Sequence, residues 1–256
     1  MTASEIDPSA RVHAEARIGE RCRIAAQCVI GPSVVLGPDN EIGEGCVLMG
    51  NCRIGAGNTI GPECRLGAAR YELATTAYDC GIEIGDANEL HDCVTISRGT
   101  PPGPGLTRLG DGNVLMPSVH IGPDCRLGDF VVIGEDTALQ ECVRIDSHAV
   151  IGAETDVQGF VHIGAFACVG SHQAFNLDVP PYLRFEGDPP TFRGLCEESV
   201  AEHGFSDGSI EQLREAFLLL FDGTSLRPDG VAKVRAMKSP SPELRDLLAF
   251  LGEELD

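Results

Sequence analysis

Proton-transfer chemistry is concentrated in one stretch, His120-Ile121-Gly122-Pro123-Asp124-Cys125, and at Glu141, eighteen positions after Pro123. An imidazole titrates near neutrality, and a carboxylate whose pKa is raised can also accept a proton. His120, Asp124 and Glu141 are therefore the candidate general bases. Eleven cysteines suggest a second chemistry, disulfide formation or metal ligation. There is no CxxC pair, however, and the cysteine spacing follows a repeat rather than a ligand set.

That repeat sets the frame. Aliphatic residues recur every six positions from Ile18 to Leu66, at Ile84, Leu90 and Ile96, and from Leu109 to Val169, with glycine often next. Each hexad supplies a short strand and a corner. Three hexads make one triangular coil, so residues 18 apart stack about 4.8 Å from one another in parallel sheets. Strands alternate faces, so the position two before each aliphatic residue also points inward, where a small side chain fits. Cys22, Cys28, Cys46, Cys52, Cys64 and Cys125 occupy that slot and are expected to fill the core rather than bind metal, with Cys28, Cys46 and Cys64 stacked on one face.

The predicted fold is a β-solenoid: a left-handed parallel β-helix over residues 1–190 and a small α-helical domain over 191–256. Segments 68–83 and 97–108 interrupt the repeat as loops, both read as preserving the count modulo six. Long loops on a rigid scaffold tend to carry function. Asn176 to Pro190 reads as Pro-rich connecting chain, and helices are predicted over 209–221, about 229–237 and 242–251. Leu213, Phe217, Leu220 and Phe221 form a stripe expected to pack against a neighbouring helix.

The formal charge of −20, from 39 acidic and 19 basic residues, argues against nucleic acid and anionic lipid as partners. No apolar run is long enough to span a bilayer, and residues 1–10 lack signal-peptide character, so membrane insertion is not expected and a cytoplasmic location is.

Several non-repeat motifs carry a resemblance: VTISRGT (94–100), GPGLT (103–107), NVLMPSVHIGPDC (113–125), DVPPY (178–182) and HGFS (203–206). In order and spacing they resemble the UDP-N-acetylglucosamine O-acyltransferases, the acyl-carrier-protein-dependent enzymes that begin lipid A synthesis. The resemblance covers nearly the whole chain. It implies a homotrimer with clefts between adjacent β-helices, and a nucleotide sugar and an acyl carrier protein as partners; no cofactor and no metal are expected.

It also implies a histidine base in a His-Ile-Ala-His-Asp-Cys stretch, and that position here is Pro123. The two further family histidines correspond to Cys142 and Gln158, and Ser97 replaces the histidine of the VTIxRGT stretch. Sugar- and phosphate-contacting positions in the first loop correspond to Tyr71 and Ala74, with Glu72 between them. The nucleotide-sugar positions of the helical domain correspond to Cys196 and Glu202, the second reversing a family arginine. Of the family set, Glu198 and Asp124 remain.

From Arg193 to Asp256 there are 7 basic and 13 acidic residues, which disfavours docking of an acidic carrier there. His120 lies three residues from the usual base, about 10 Å along a strand. His148, His162 and His172 fall at other azimuths, where surface positions are expected.

The resulting expectation is a homologue lacking the standard acyl transfer. One alternative is an acyltransferase with another acceptor or a carboxylate base, Glu141 or Asp124. Another is a non-catalytic structural or regulatory trimer whose cleft is filled by side chains such as Tyr71.

Overall fold

The computed structural model describes residues 4–69, 80–101, 103–227 and 229–252. Successive short strands are dealt in turn to three sheets. Glu5–Ile6 opens the first face, Arg11–Val12 the second and Arg17–Ile18 the third. Pairing is parallel, and residues 18 apart are partners wherever no loop intervenes, as in Arg23↔Glu41, Val29↔Val47 and Arg126↔Arg144. The result is a parallel β-helix of hexapeptide repeats.

From Ile24 to Val169 the aliphatic residues of the repeat are at most 4% exposed. Each such side chain, fully buried, contributes about 1.5–3 kcal/mol, so the period-six pattern is itself the folding instruction. The inward cysteines lie where their spacing puts them. Cys28, Cys46 and Cys64 are 0% exposed on the second face, and their thiols point to the carbonyls of Gly43, Gly61 and His91. Burial pushes the Cys52 and Cys125 thiols up to about 12, as befits core thiols.

A second internal ladder escaped the sequence reading. Asn40, Asn58, Asn88 and Asn113 stack at the corner before the first face. Each of the first three side-chain oxygens accepts from the backbone N–H and side-chain amide of the next asparagine, and Asn113 Oδ1 accepts from Val131 N. These buried polar groups are satisfied by their own repetition.

The structure modifies three expectations. Across the first loop the register is Arg53↔Glu83, thirty apart, which keeps the count modulo six. Across the second it is Glu83↔Arg108, twenty-five apart, which does not. The extra residue lies between Ser97 and Leu106, in the excursion that strands Thr95–Ser97 and Leu106–Leu109 bracket. Second, 176–190 is not mere connecting chain. Leu183–Gly187 adds to the first face beside Cys168–Val169 and pairs antiparallel with Pro190–Leu195. Third, one pair of cysteines does form a disulfide, Cys168–Cys196, with Cα atoms 5.8 Å apart. Cys168 is outside the inward slot and faces outward on the first face, where the chain returning from the hairpin can reach it.

Among the described residues the C-terminal part has four helices: α1 (Glu197–Glu202), α2 (Asp207–Leu220), α3 (Gly230–Arg235) and α4 (Pro242–Phe250). Ser206 and Ser241 cap α2 and α4 by accepting from Ser209 N and Leu244 N, each cap being worth about 1 kcal/mol. The α2 stripe packs inward through Leu213 and Leu220, and Phe221 follows it into the core. The short α1 was not predicted. Among the described residues no helix is long and apolar enough to cross a membrane.

Candidate functional site

The site stretch forms the corner between the second and third faces. On successive coils the corner carries Pro123-Asp124, Glu141-Cys142 and Gly159-Phe160. Cys142 N donates to Pro123 O and Phe160 N to Glu141 O, each at 3.0 Å, which fixes the three levels in one line. Asp124, Cys142 and Phe160 all have positive φ, at 63°, 59° and 67°. A proline followed by a residue of positive φ is an economical way to turn this coil, since proline pre-sets its own φ. The same arrangement recurs at Pro38-Asp39, Pro62-Glu63 and Pro117-Ser118. Pro123 is thus one of several prolines that turn this solenoid, a signal legible in the sequence but overlooked. It is buried and has no titratable atom.

Asp124 is 4% exposed, and its carboxylate is committed to the second loop. Oδ2 accepts from Thr100 N (3.0 Å) and Thr100 Oγ1 (2.6 Å), and Oδ1 from Gly105 N (2.8 Å). Its backbone N–H donates to Thr107 Oγ1 at 2.9 Å. It pins the excursion to the corner. Glu141 is exposed one coil further, with its carboxylate beside Gly159, where a Cβ built on the glycine would lie 3.3 Å from Oε1. Cys142 is partly buried, and burial, then Asp124 and Glu141, push its thiol above the usual range.

His120 points outward on the second face, as its alternation with Ile121 requires, with Nδ1 2.6 Å from Thr95 Oγ1. On the same face Asp156 is held by two amides: Gln140 Nε2 donates to Oδ1 at 3.0 Å and Gln158 Nε2 to Oδ2 at 3.1 Å. The sequence reading singled out Gln158 but not this clamp. Ser97 is buried at the end of its strand. Tyr71, Glu72 and Ala74 lie outside the described residues. Among the described residues no cluster of His, Cys, Asp or Glu could hold a metal ion.

Two family models match the chain: Udp N-acetylglucosamine O-acyltransferase, Domain 2, over residues 178–254, and the bacterial transferase hexapeptide (six repeats) over 33–68. An acyl-[acyl-carrier-protein]–UDP-N-acetylglucosamine O-acyltransferase from Syntrophobacter fumaroxidans is 42% identical over 171 residues, and one from Alkalilimnicola ehrlichii 32%. Each alignment covers 66–67% of this chain and 66% of the relative. The crystal structure of a UDP-N-acetylglucosamine acyltransferase from Bacteroides fragilis is 32% identical and superposes with a TM-score of 0.91 over 96% of both chains. The chain belongs to the UDP-N-acetylglucosamine O-acyltransferase family.

Within one chain, the remaining positions that the family resemblance marks are far from that corner. Glu198 is exposed and ion-paired with Arg184, which sits on the first face, opposite the corner between the other two. The Glu198 carboxyl is held below its usual range by its own backbone N–H and by Arg184. Glu202 is exposed at the end of α1, and Cys196 is consumed in the disulfide.

Two of the three histidines expected at the surface are built in instead. His148 stacks between Phe130 and Phe166, at 5.1 and 4.7 Å, with His203 edge-on at 4.5 Å. His162 is half-buried, with Nε2 2.8 Å from Asp146 Oδ2 and its ring 4.4 Å from that of Phe250. The spacing 130, 148, 166 is the signal that could have revealed the stack. His172 is exposed beside Glu154.

Proposed function

We propose that this chain is a left-handed β-helical, homotrimeric member of its family that has lost the standard transfer of an acyl group from acyl carrier protein to UDP-N-acetylglucosamine. One residue carries the reading: the position that the family resemblance assigns to the base is Pro123, a turn residue that this repeat also uses at Pro38, Pro62 and Pro117. Attack of a sugar hydroxyl on a thioester needs a group to take the hydroxyl proton, and general-base assistance is worth about 10²–10⁴ in rate. Asp124 does not fill the gap, because its oxygens already serve Thr100 and Gly105. His120 belongs to the second face and is engaged by Thr95.

The homotrimer reading is supported by the separation, within one chain, of α1 from the corner, which an adjacent subunit can close. The division into a solenoid over 1–190 and a helical domain over 191–256 is part of the same proposal, with the Leu183–Leu195 hairpin as the joint between them.

A second reading has its own support. Glu141 is exposed at the azimuth of Pro123, and a carboxylate there could deprotonate a different acceptor. Incubating the purified chain with acyl carrier protein thioesters and UDP-N-acetylglucosamine tests both. No product is expected, and Pro123→His is expected to raise any residual rate by about 10²-fold or more. Turnover that disappears in Glu141→Ala would move the chain to the second reading.

A further inference from the structure

Of the eleven cysteines, nine are free thiols. Seven of the nine are buried in the solenoid, and Cys93 is both exposed and unpaired. Such a set suits surroundings that keep thiols reduced, where a disulfide is as a rule transient or redox-sensing rather than permanent. Against that background the single bonded pair, Cys168–Cys196, calls for a reason.

The bond joins the first face of the solenoid to the start of α1. Cys196 stands at the N-terminal end of that helix and gives it no side-chain cap. Six residues are too few to sustain a helix alone, so α1 depends on its attachments. At its far end His203 lies edge-on to the rings of His148 and Phe166, at 4.5 and 5.0 Å. Along its length Ser199 and Val200 are buried, while Glu197 and Glu198 pair with Arg214 and Arg184. Both glutamates are largely exposed, and ion pairs of that kind hold weakly. At the near end one backbone hydrogen bond, Cys196 N to Tyr182 O at 2.8 Å, accompanies the disulfide. Arg184 is the cross-strand neighbour of Cys168, so the covalent bond and the Glu198 pair act at one spot.

We propose that Cys168–Cys196 is a redox-sensitive latch. Oxidised, it fixes α1, and with it Glu198 and Glu202, against the first face; reduced, it lets them move. The reductant is a small thiol of the glutathione class. Its thiolate attacks the Cys168 sulfur, since Cys168 is half-buried whereas Cys196 is 1% exposed. A mixed disulfide forms at Cys168, and the Cys196 sulfur leaves as a thiolate that takes up a proton. A second glutathione thiolate attacks the glutathione sulfur of the mixed disulfide and releases Cys168, which is protonated in turn. Two glutathiones become one oxidised glutathione, and the protein gains two thiols. Both protein sulfurs lie 3.5 Å from Ser199 Oγ, so each freed thiol has a hydroxyl at hand. The bond lies within one chain and its opening is read on the assembled protein, whichever faces other copies cover. It does not depend on whether the Pro123 corner retains catalysis.

The test begins with the full-length chain equilibrated in oxidised glutathione. Alkylation in denaturant, followed by mass spectrometry, should label nine thiols there and eleven after millimolar reduced glutathione, reversibly. On reduction, hydrogen–deuterium exchange over residues 197–204 should speed about tenfold or more. Exchange in the solenoid strands Val114–Leu115 and Val132–Ile133 should stay level. Cys168→Ser should match the reduced chain and lose its response to glutathione. Cys93→Ser, at the exposed free thiol, should behave as the unmodified chain. Eleven labelled thiols under oxidising conditions overturn the proposal, because the bond is then absent. A bond that survives reduced glutathione overturns it as well, by making the pair a permanent staple. So does equal exchange of 197–204 in the two states, which leaves no latch. Because exchange rather than turnover is read, failure here is distinct from failure of the proposed loss of transfer.

Discussion

At the corner between the third and first faces the left-handed positions are Phe130, His148 and Phe166. At the corner between the second and third they are Asp124, Cys142 and Phe160. The backbone is the same at both, and each set repeats every 18 residues. The first set is zipped into a stack, roofed by Tyr182, His203 and Phe205. It stops at Gly112 one coil earlier, where a Cβ would come within 2.6 Å of the Phe130 ring. The second set is unstacked: Asp124 is turned into the loop, and Phe160 is 74% exposed. The hexapeptide backbone offers equivalent pedestals, and side chains decide which become structural and which stay open. The corner that carries Pro123 is the open one of the two.

The contrast can be broken by substitution. Asp124→Ala should have the largest effect, about 3 kcal/mol by urea denaturation, since it removes a buried carboxylate and leaves the partly buried donors of Thr100 and Gly105 without their acceptor. A small cost would mean that the loop does not rely on this carboxylate. Phe166→Ala should cost about 2–3 kcal/mol, because it removes the centre of the aromatic corner. Phe160→Ala, at the equivalent position of the open corner, should stay within about 0.5 kcal/mol. Equal losses in the two phenylalanine variants would erase the distinction.

The smallest effect is a pH dependence. Burial, and then His203, hold His148 below its usual value, with Asp129 opposing. The unfolded chain then protonates this imidazole first, near pH 6.5, so stability is full above that pH. It declines as pH falls from there through the folded value. His148→Phe, which keeps a ring in the stack, should flatten the decline between about pH 7 and 5. An unchanged slope would show that other groups carry it.

The solenoid was legible because its code is one-dimensional: an aliphatic residue every six positions can bury itself only by coiling. The cysteine slots followed from the same count. The Asn40-to-Asn113 ladder was equally periodic but was missed, because asparagine is not usually sought in a core. The disulfide was not legible, since Cys168 and Cys196 meet only after the 183–195 hairpin folds back onto the first face. At the candidate site, the identity of Pro123 was readable, whereas the commitment of Asp124 depends on where a loop of irregular length lands. The paired α1 residues required the third dimension too.

Mass spectrometry for acylated UDP-N-acetylglucosamine, after incubating the unmodified chain with acyl carrier protein thioesters of several lengths, addresses the central claim most directly. The account predicts no acylated sugar above the enzyme-free background. Robust accumulation with the unmodified Pro123 chain would contradict it.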